Sequence, residues 1–365
     1  MRFRLLDTIR EYLDRVPDDG ELTATRDRHS QHFASLAARI CDLFNSGNFG
    51  AARQQLSLEI GNYRVGVLWA ISTHNSELIR NYARSLARVY FETGSTFEFE
   101  MLAEAAVNVS TDEDLELLLE LYGLLGEMYR RNGRIGLALE IWEKRIEICA
   151  RMHDMETQVD AILDIARLAL VNGMDEVTEQ KLAEFSNLSD QIKHLPLRAT
   201  GIVLQAQLRM KRNETVAALE LCAEIEAMMK SVAVDRTALY VWLTMSQLYR
   251  QGGAVKDSFS ASHRCLADSL ASSHLVSVGR ALIELSHNHE LVGDLEGAAR
   301  LIAIAWAIPA SISPTHREDV LARKRQFSSG SRSQIMDAAI ETMGKQDWEE
   351  LAWREVPEEF RSRSS

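Results

Sequence analysis

The feature that most constrains this fold is a turn residue that recurs every 40 positions. Glycine or asparagine stands at five positions with this spacing: Gly133, Gly173, Asn213, Gly253 and Gly293. Both residue types tolerate the left-handed backbone conformation that commonly ends a helix. Such a residue at constant spacing predicts a series of helical hairpins rather than one globular core.

Small residues keep the same interval on both sides of the turn. The column in the first helix of each hairpin reads Gly126, Ala166, Ala206, Ser246 and Ser286. The column in the second helix reads Ala138, Thr178, Ala218, Ser258 and Ala298. We expect the two helices of each hairpin to cross closely at these positions. Larger residues are expected to fill the space between hairpins, namely Tyr122, Ile162, Ile202, Trp242 and Leu282.

One copy resembles the tetratricopeptide repeat. Tyr122, Leu125-Gly126 and Tyr129 match the first half of its pattern, and Ala138 and Trp142 match the second half with an aromatic exchange. HEAT-type repeats share the period, but the small-residue columns favour tetratricopeptides. The sequence therefore predicts an all-α, right-handed superhelix of about seven tetratricopeptide-like hairpins, closed by a C-terminal helical cap.

Three positions depart from the repeat pattern. Gln205 and Arg209 replace apolar or aromatic residues in the third copy, and Ser262 replaces an aromatic residue in the fourth. We expect the packing between hairpins to be looser at these positions.

Composition excludes several classes of function. The 365 residues carry a net charge of −12, which repels phosphate, so nucleic acid is not an expected partner. The sequence has no run of 18 apolar residues and no apolar signal segment, so neither a membrane contact nor secretion is expected. Its four cysteines are scattered, which predicts reduced thiols in a cytoplasmic protein.

Segments near both ends of the sequence carry motifs that lie outside the repeat columns. Residues 2–13 (RFRLLDTIREYL) and 26–33 (RDRHSQHF) come first, followed by 58–64 (LEIGNYR). Ala298–Leu301 and Trp348–Trp353 stand near the other end. These segments resemble the C-terminal portion of large STAND (NB-ARC-like) ATPase transcriptional regulators of the LuxR and AfsR kinds.

The resemblance implies a domain order and a role. It places the remnant of a winged-helix junction at 1–20, the repeats at 21–308, and a linker with the helical cap at 309–365. It implies an arm that senses an effector or binds a partner, with an upstream ATPase module as one such partner. It also implies that the sequence is a fragment, the product of a split gene, or a product whose true start lies upstream.

No pattern typical of catalysis, nucleotide binding or metal binding is present in the sequence. The only Gly-Lys pair is Gly344-Lys345, and Ala339 stands where a phosphate-binding loop requires its first glycine. His287 and His289 lie two residues apart, so on a helix they diverge and cannot share a metal ion. We expect no enzyme activity, no catalytic residue, no cofactor and no metal site.

The candidate binding site is a ladder of polar residues in the first helices. Stepping by the repeat period gives Arg88, Glu127, Arg167, Gln207, Gln247 and His287. Arg130 and Arg250 follow one turn later, and Tyr240 completes the set. We expect this ladder on the concave face, the usual binding surface of a solenoid. Arginines would hold carboxylates, amides would hold peptide groups, and the tyrosine ring would stack on the ligand.

The other interpretation of the ladder is an inner face that is polar only because it is exposed to water.

A second candidate surface is acidic. Residues 89–129 contain no Lys or Arg, but they contain ten carboxylates: Glu92, Glu98, Glu100, Glu104, Asp112, Glu113, Asp114, Glu116, Glu120 and Glu127. Such runs are usually solvated faces, and the alternative is a docking patch for a basic partner.

Two functions are compatible with these features. The first is a non-catalytic sensor or protein-interaction arm of a STAND-type regulator, which binds a protein, a peptide or a small effector on the concave face. The second is a free-standing peptide receptor of the quorum-sensing, Rap-like kind, which also uses a repeat of roughly 40 residues.

Overall fold

The structure is a computed structural model that describes residues 20–229, 232, 235–309, 314–328, 332–343 and 347–361. Within these ranges the regular elements are helices, and no strand occurs. The predicted winged-helix remnant at 1–20 lies outside the described residues, apart from Gly20. The helices are α1 (Glu21–Asn45), α2 (Phe49–Ser72), α3 (Ser76–Thr93), α4 (Thr96–Val109), α5 (Leu115–Arg131), α6 (Ile135–Met152), α7 (Met155–Val171), α8 (Asp175–Leu188), α9 (Leu195–Lys211), α10 (Thr215–Met229), α11 (Arg236–Gln251), α12 (Val255–Ala271), α13 (Leu275–Leu291), α14 (Leu295–Ala307), α15 (Pro314–Phe327), α16 (Ser333–Met343), α17 (Trp348–Arg354) and α18 (Glu358–Arg361).

The chain divides into two compact units, Met1–Asp154 and Met155–Ser365. Helices pair with their neighbours in sequence, as α1/α2, α3/α4 and α5/α6 in the first unit, and as α7/α8, α9/α10, α11/α12 and α13/α14 in the second. Helices α15 to α18 pack against the last hairpins of the second unit. These pairings confirm the predicted all-α helical-repeat fold with a C-terminal cap.

The turn inside each hairpin has the predicted backbone conformation. The φ angle is positive at every member of the 40-residue column, from 62° at Asn213 to 83° at Gly293. At Gly133, the following N–H of Arg134 donates to the carbonyl of Tyr129 at 2.8 Å and so closes the end of α5. The turn column is therefore a steric requirement of the hairpin.

The two small-residue columns are buried where the helices cross. Ala166 and Ala206 in the first helices, and Ala138 and Ala218 in the second helices, are 0% exposed. At Gly126 the indole ring of Trp142 fills the space that a Cβ atom would need. These columns set the distance between the two helices of a hairpin.

The expectation of loose packing at Ser262 is wrong. Ser262, Ser246, Ser258 and Asn288 are each 0% exposed and form one hydrogen-bond network between neighbouring hairpins. Asn288 Nδ2 donates to Ser262 Oγ at 3.3 Å, and Ser258 Oγ lies 2.8 Å from Asn288 Oδ1. The network satisfies the polar groups of these buried side chains, so the position is closely packed.

None of the described helices is both long enough and apolar enough to cross a lipid bilayer.

Candidate functional site

A groove of about 520 Å³ runs along the first helices of the second unit. Its walls come from α9, α11 and α13, and α15 adds a further wall. Four residues of the predicted ladder line it: Gln207, Tyr240, Gln247 and His287. The repeat period places equivalent positions of consecutive hairpins on one face, which is why these side chains meet. We call this site the first-helix groove.

Arg167 of the predicted ladder lies against Tyr240. Its Nε donates to the Tyr240 hydroxyl at 3.3 Å, and its guanidinium carbon lies 4.6 Å from the ring centroid. Its Nη1 also donates to Asp164 Oδ1 at 2.8 Å. A cation over the ring face stabilises both groups, so Arg167 holds Tyr240 in place and covers one face of its ring.

Arg250 of the predicted ladder forms an ion pair with a buried acid, Glu284. Glu284 is 6% exposed, and its Oε2 accepts from Arg250 Nη2 at 3.2 Å. The other oxygen, Oε1, accepts from Gln247 Nε2 at 2.9 Å. A buried carboxylate needs such partners, because an unpaired charge away from water is costly. Arg250 therefore neutralises Glu284 beside the groove.

Sequence reasoning missed Arg280 and Glu284 of α13 and the groove residues that α15 contributes. Arg323 is 3% exposed; its Nε donates to Ser286 Oγ at 2.9 Å and its Nη2 donates to Glu290 Oε2 at 2.7 Å. Arg280 Nε lies 3.6 Å from Asp319 Oδ2. These contacts attach α15 to α13 and hold α15 as a wall of the groove.

The repeat period held a signal for two of these residues. A step of 40 residues from Tyr240 reaches Arg280, and the same step from Ile283 reaches Arg323. The column of Arg323 gives a weak signal, because its earlier members are apolar and because Pro309 and Pro314 interrupt the pattern before Arg323.

His287 is a neutral member of the groove. Burial, together with the nearby cations Arg323 and Arg250, lowers the pKa of its imidazole to about 4, although Glu290 opposes the shift. At neutral pH the ring therefore offers one donor and one acceptor. Gln207 likewise offers both, and neither side chain forms a hydrogen bond with the described residues.

The lowered pKa values of two histidines, His287 and His263, predict that the second unit loses stability in mild acid. Burial also lowers the pKa of His263 to about 4, against an ordinary value of 6.5. Between these values the unfolded chain binds more protons than the folded chain, so stability falls as the pH falls from about 6.5 to about 4. We expect His287→Gln to reduce this loss by about 1 kcal/mol between pH 7 and pH 5, as measured by urea denaturation at each pH.

A matched control for this measurement is His32→Gln, which removes an exposed histidine of the first unit. It is expected to leave the pH profile unchanged. If His287→Gln and His32→Gln gave the same profile as the unaltered chain, the assignment of a neutral His287 would be wrong.

The other three ladder residues lie in the first unit and do not line the groove. Arg130 Nε donates to Glu127 Oε2 at 2.6 Å, and Arg131 Nε donates to Glu127 Oε1 at 2.8 Å. Arg88 Nη1 lies 3.8 Å from Glu120 Oε1, with both side chains exposed. In this unit the three ladder residues form ion pairs with residues of the same unit.

Most of the acidic stretch at 89–129 has partners within the first unit. The carboxylates held by arginine or tyrosine side chains are Glu98, Glu100, Glu104, Asp112, Asp114, Glu120 and Glu127. Asp114, which is 7% exposed, accepts from Arg84 at 2.7 Å. These pairs favour a structural role for the acids over a docking patch.

The histidine cluster of α13 divides between two environments. His287 faces the groove, whereas His289 Nδ1 lies 2.7 Å from Asp294 Oδ2 at the start of α14. Among the described residues, no group of three or more His, Cys, Asp or Glu side chains is placed to hold a metal ion.

Comparisons with known proteins add little to this description. No protein-family model and no curated protein matches the chain. Among solved structures it is similar to a "circular tandem repeat protein with novel repeat topology and enhanced subunit contact surfaces", with 14% sequence identity over 94% of each chain. The TM-score is 0.26, which is too low to support a conclusion about function.

Proposed function

We propose that this chain is a non-catalytic protein-interaction arm of a STAND-type transcriptional regulator, and that it binds an extended peptide segment of its partner in the first-helix groove. A helical-repeat fold is compatible with a protein-interaction role. The observation that carries the proposal is that Gln207, Gln247 and His287, which the repeat spacing selects, line one groove of about 520 Å³ together with Tyr240. The regulator context rests on the resemblance of the terminal segments.

The chemistry of the groove favours a neutral ligand with alternating donors and acceptors. Its charged groups Arg280, Asp319, Glu284 and Arg323 already have partners of opposite charge. The groups left for a ligand include the Gln207 amide and the neutral His287 ring. Each peptide unit offers one N–H and one carbonyl, which such side chains match.

A free-standing peptide receptor of the Rap-like kind would use the same groove. A gene for a P-loop ATPase immediately upstream would favour the regulator arm. A gene for a small secreted peptide beside it would favour the receptor.

The test of the groove uses peptides selected from a random twelve-residue phage library on the purified chain. Gln207→Ala/His287→Ala is expected to weaken the binding of the selected peptides by about tenfold, because each lost hydrogen bond is worth about 0.5–1.5 kcal/mol. The fold should persist, since neither side chain bonds to the described residues. Calorimetry measures the affinity, and circular dichroism measures the helical content.

Gln251→Ala is the matched control, because Gln251 is an exposed amide at the end of α11 and does not line this groove. It should leave peptide affinity unchanged. Equal affinity for the unaltered chain and the Gln207→Ala/His287→Ala variant would contradict the proposal.

A further inference from the structure

A second groove lies on another side of α9, between the second helices α8 and α10. Its volume is about 640 Å³, and none of its lining residues belongs to the first-helix groove. Leu182, Leu208 and Leu221 supply apolar surface from the three helices. We call this site the second-helix groove.

The second-helix groove coincides with the break in the repeat pattern. Positions equivalent to Gln205 are Leu125, Ile165, Met245 and Leu285, and each is at most 2% exposed. Gln205 is half-buried and Arg209 is exposed, and both line the groove. The looser packing expected at these two positions is confirmed.

The packing between α8 and α9 is loosened only locally, near Gln205 and Arg209. One turn before Gln205, the ring of Phe185 fills the space that a Cβ atom of Gly201 would need, so α8 and α9 are in close contact there. Beyond that contact, Gln205 Nε2 donates to Ser186 Oγ at 3.0 Å. A polar bond therefore replaces side-chain packing between α8 and α9.

The cations of the second-helix groove are already neutralised. Arg209 Nη1 donates to Glu214 Oε2 at 2.6 Å, and Arg212 forms an ion pair with Glu179 of α8. On the α10 side, Glu220 and Glu224 are exposed and form no ion pair with the described residues. They lie one helical turn apart, so their carboxylates border the same part of the groove.

We infer that the second-helix groove is a docking site for a lysine or arginine side chain of a protein partner. The leucine side chains match the alkyl stem of such a residue, and the Glu220 and Glu224 carboxylates match its charged head. A groove with two uncompensated carboxylates and no free cation selects a basic anchor by charge complementarity. This site is independent of the first-helix groove, and its test leaves Gln207 and His287 unchanged.

The probe is a fluorescein-labelled, amidated nine-residue peptide of alternating leucine and arginine, with a matched peptide in which citrulline replaces every arginine. Citrulline keeps the shape of arginine but has no charge. We expect the arginine peptide to bind at least about tenfold more tightly than the citrulline peptide in fluorescence anisotropy. Glu220→Gln/Glu224→Gln should weaken binding of the arginine peptide by about tenfold or more.

The control variant Glu147→Gln/Glu296→Gln removes the same number of exposed charges from α6 and α14, which do not line the second-helix groove. It should retain the affinity of the unaltered chain within about twofold, because distant surface charges are screened by salt. Equal weakening by both variants would show attraction to the acidic chain as a whole and would overturn the inference. Failure of the arginine peptide to bind, or full displacement by micromolar spermidine, would also overturn it.

Discussion

Replacing Gly126 by leucine is expected to lower the free energy of unfolding by about 3 kcal/mol or more. The Trp142 ring already fills the space beside the glycine, so a side chain there must displace the ring or separate α5 from α6. Ala138→Leu should act in the same way, because Ala138 is 0% exposed in the facing column. Chemical denaturation followed by circular dichroism measures the effect.

Glu113→Leu is the control for these two variants, because it adds the same side chain at an exposed position. A change within about 0.5 kcal/mol is expected there. If both small-to-large variants were as stable as the unaltered chain, the assignment of the small-residue columns would be wrong.

Arg250→Met is expected to destabilise the second unit by about 3 kcal/mol. The variant removes the cation that is paired with Glu284, which is 6% exposed, and leaves the Gln247 amide as the remaining hydrogen-bond partner of that carboxylate among the described residues. An uncompensated charge in a buried position costs more than the ion pair contributes. Urea denaturation of the full chain gives the change.

A double-mutant cycle separates this effect from lost packing. Arg250→Met/Glu284→Gln should lose less stability than the sum of its two single variants, because neither charge is then left without its partner. Arg130→Met is the comparison at an exposed ladder position, where the pair with Glu127 is expected to contribute less than about 1 kcal/mol. Additive effects of Arg250→Met and Glu284→Gln would contradict a coupled pair.

The hairpin architecture was predictable because it rests on steric constraints that leave a mark at every repeat. Only a few residue types accept the positive φ angle at Gly133 and Asn213, and only small side chains fit where α5 crosses α6 at Gly126. Ser262 misled the prediction, because the residue that compensates for it, Asn288, lies 26 positions away on another hairpin. Sequence spacing within one column does not show such a compensation.

The candidate site was predictable only in part. The repeat period found Gln207, Gln247 and His287, because a constant interval keeps equivalent residues on one face. It did not show that Arg250 forms an ion pair with a buried acid, since the burial of Glu284 depends on how α13 packs against its neighbours. It also did not reach Arg323 on α15, which follows the prolines that interrupt the pattern.

Photo-crosslinking of a bound peptide shows directly whether the peptide lies in the first-helix groove. A library-selected peptide with a benzophenone group at its centre is irradiated with the full chain, and the attached residues are identified by mass spectrometry. We expect attachment to groove-lining residues of α11 and α13, such as Leu243 and Ile283. Attachment confined to the second helices, or to residues 1–154, would contradict peptide binding in the first-helix groove.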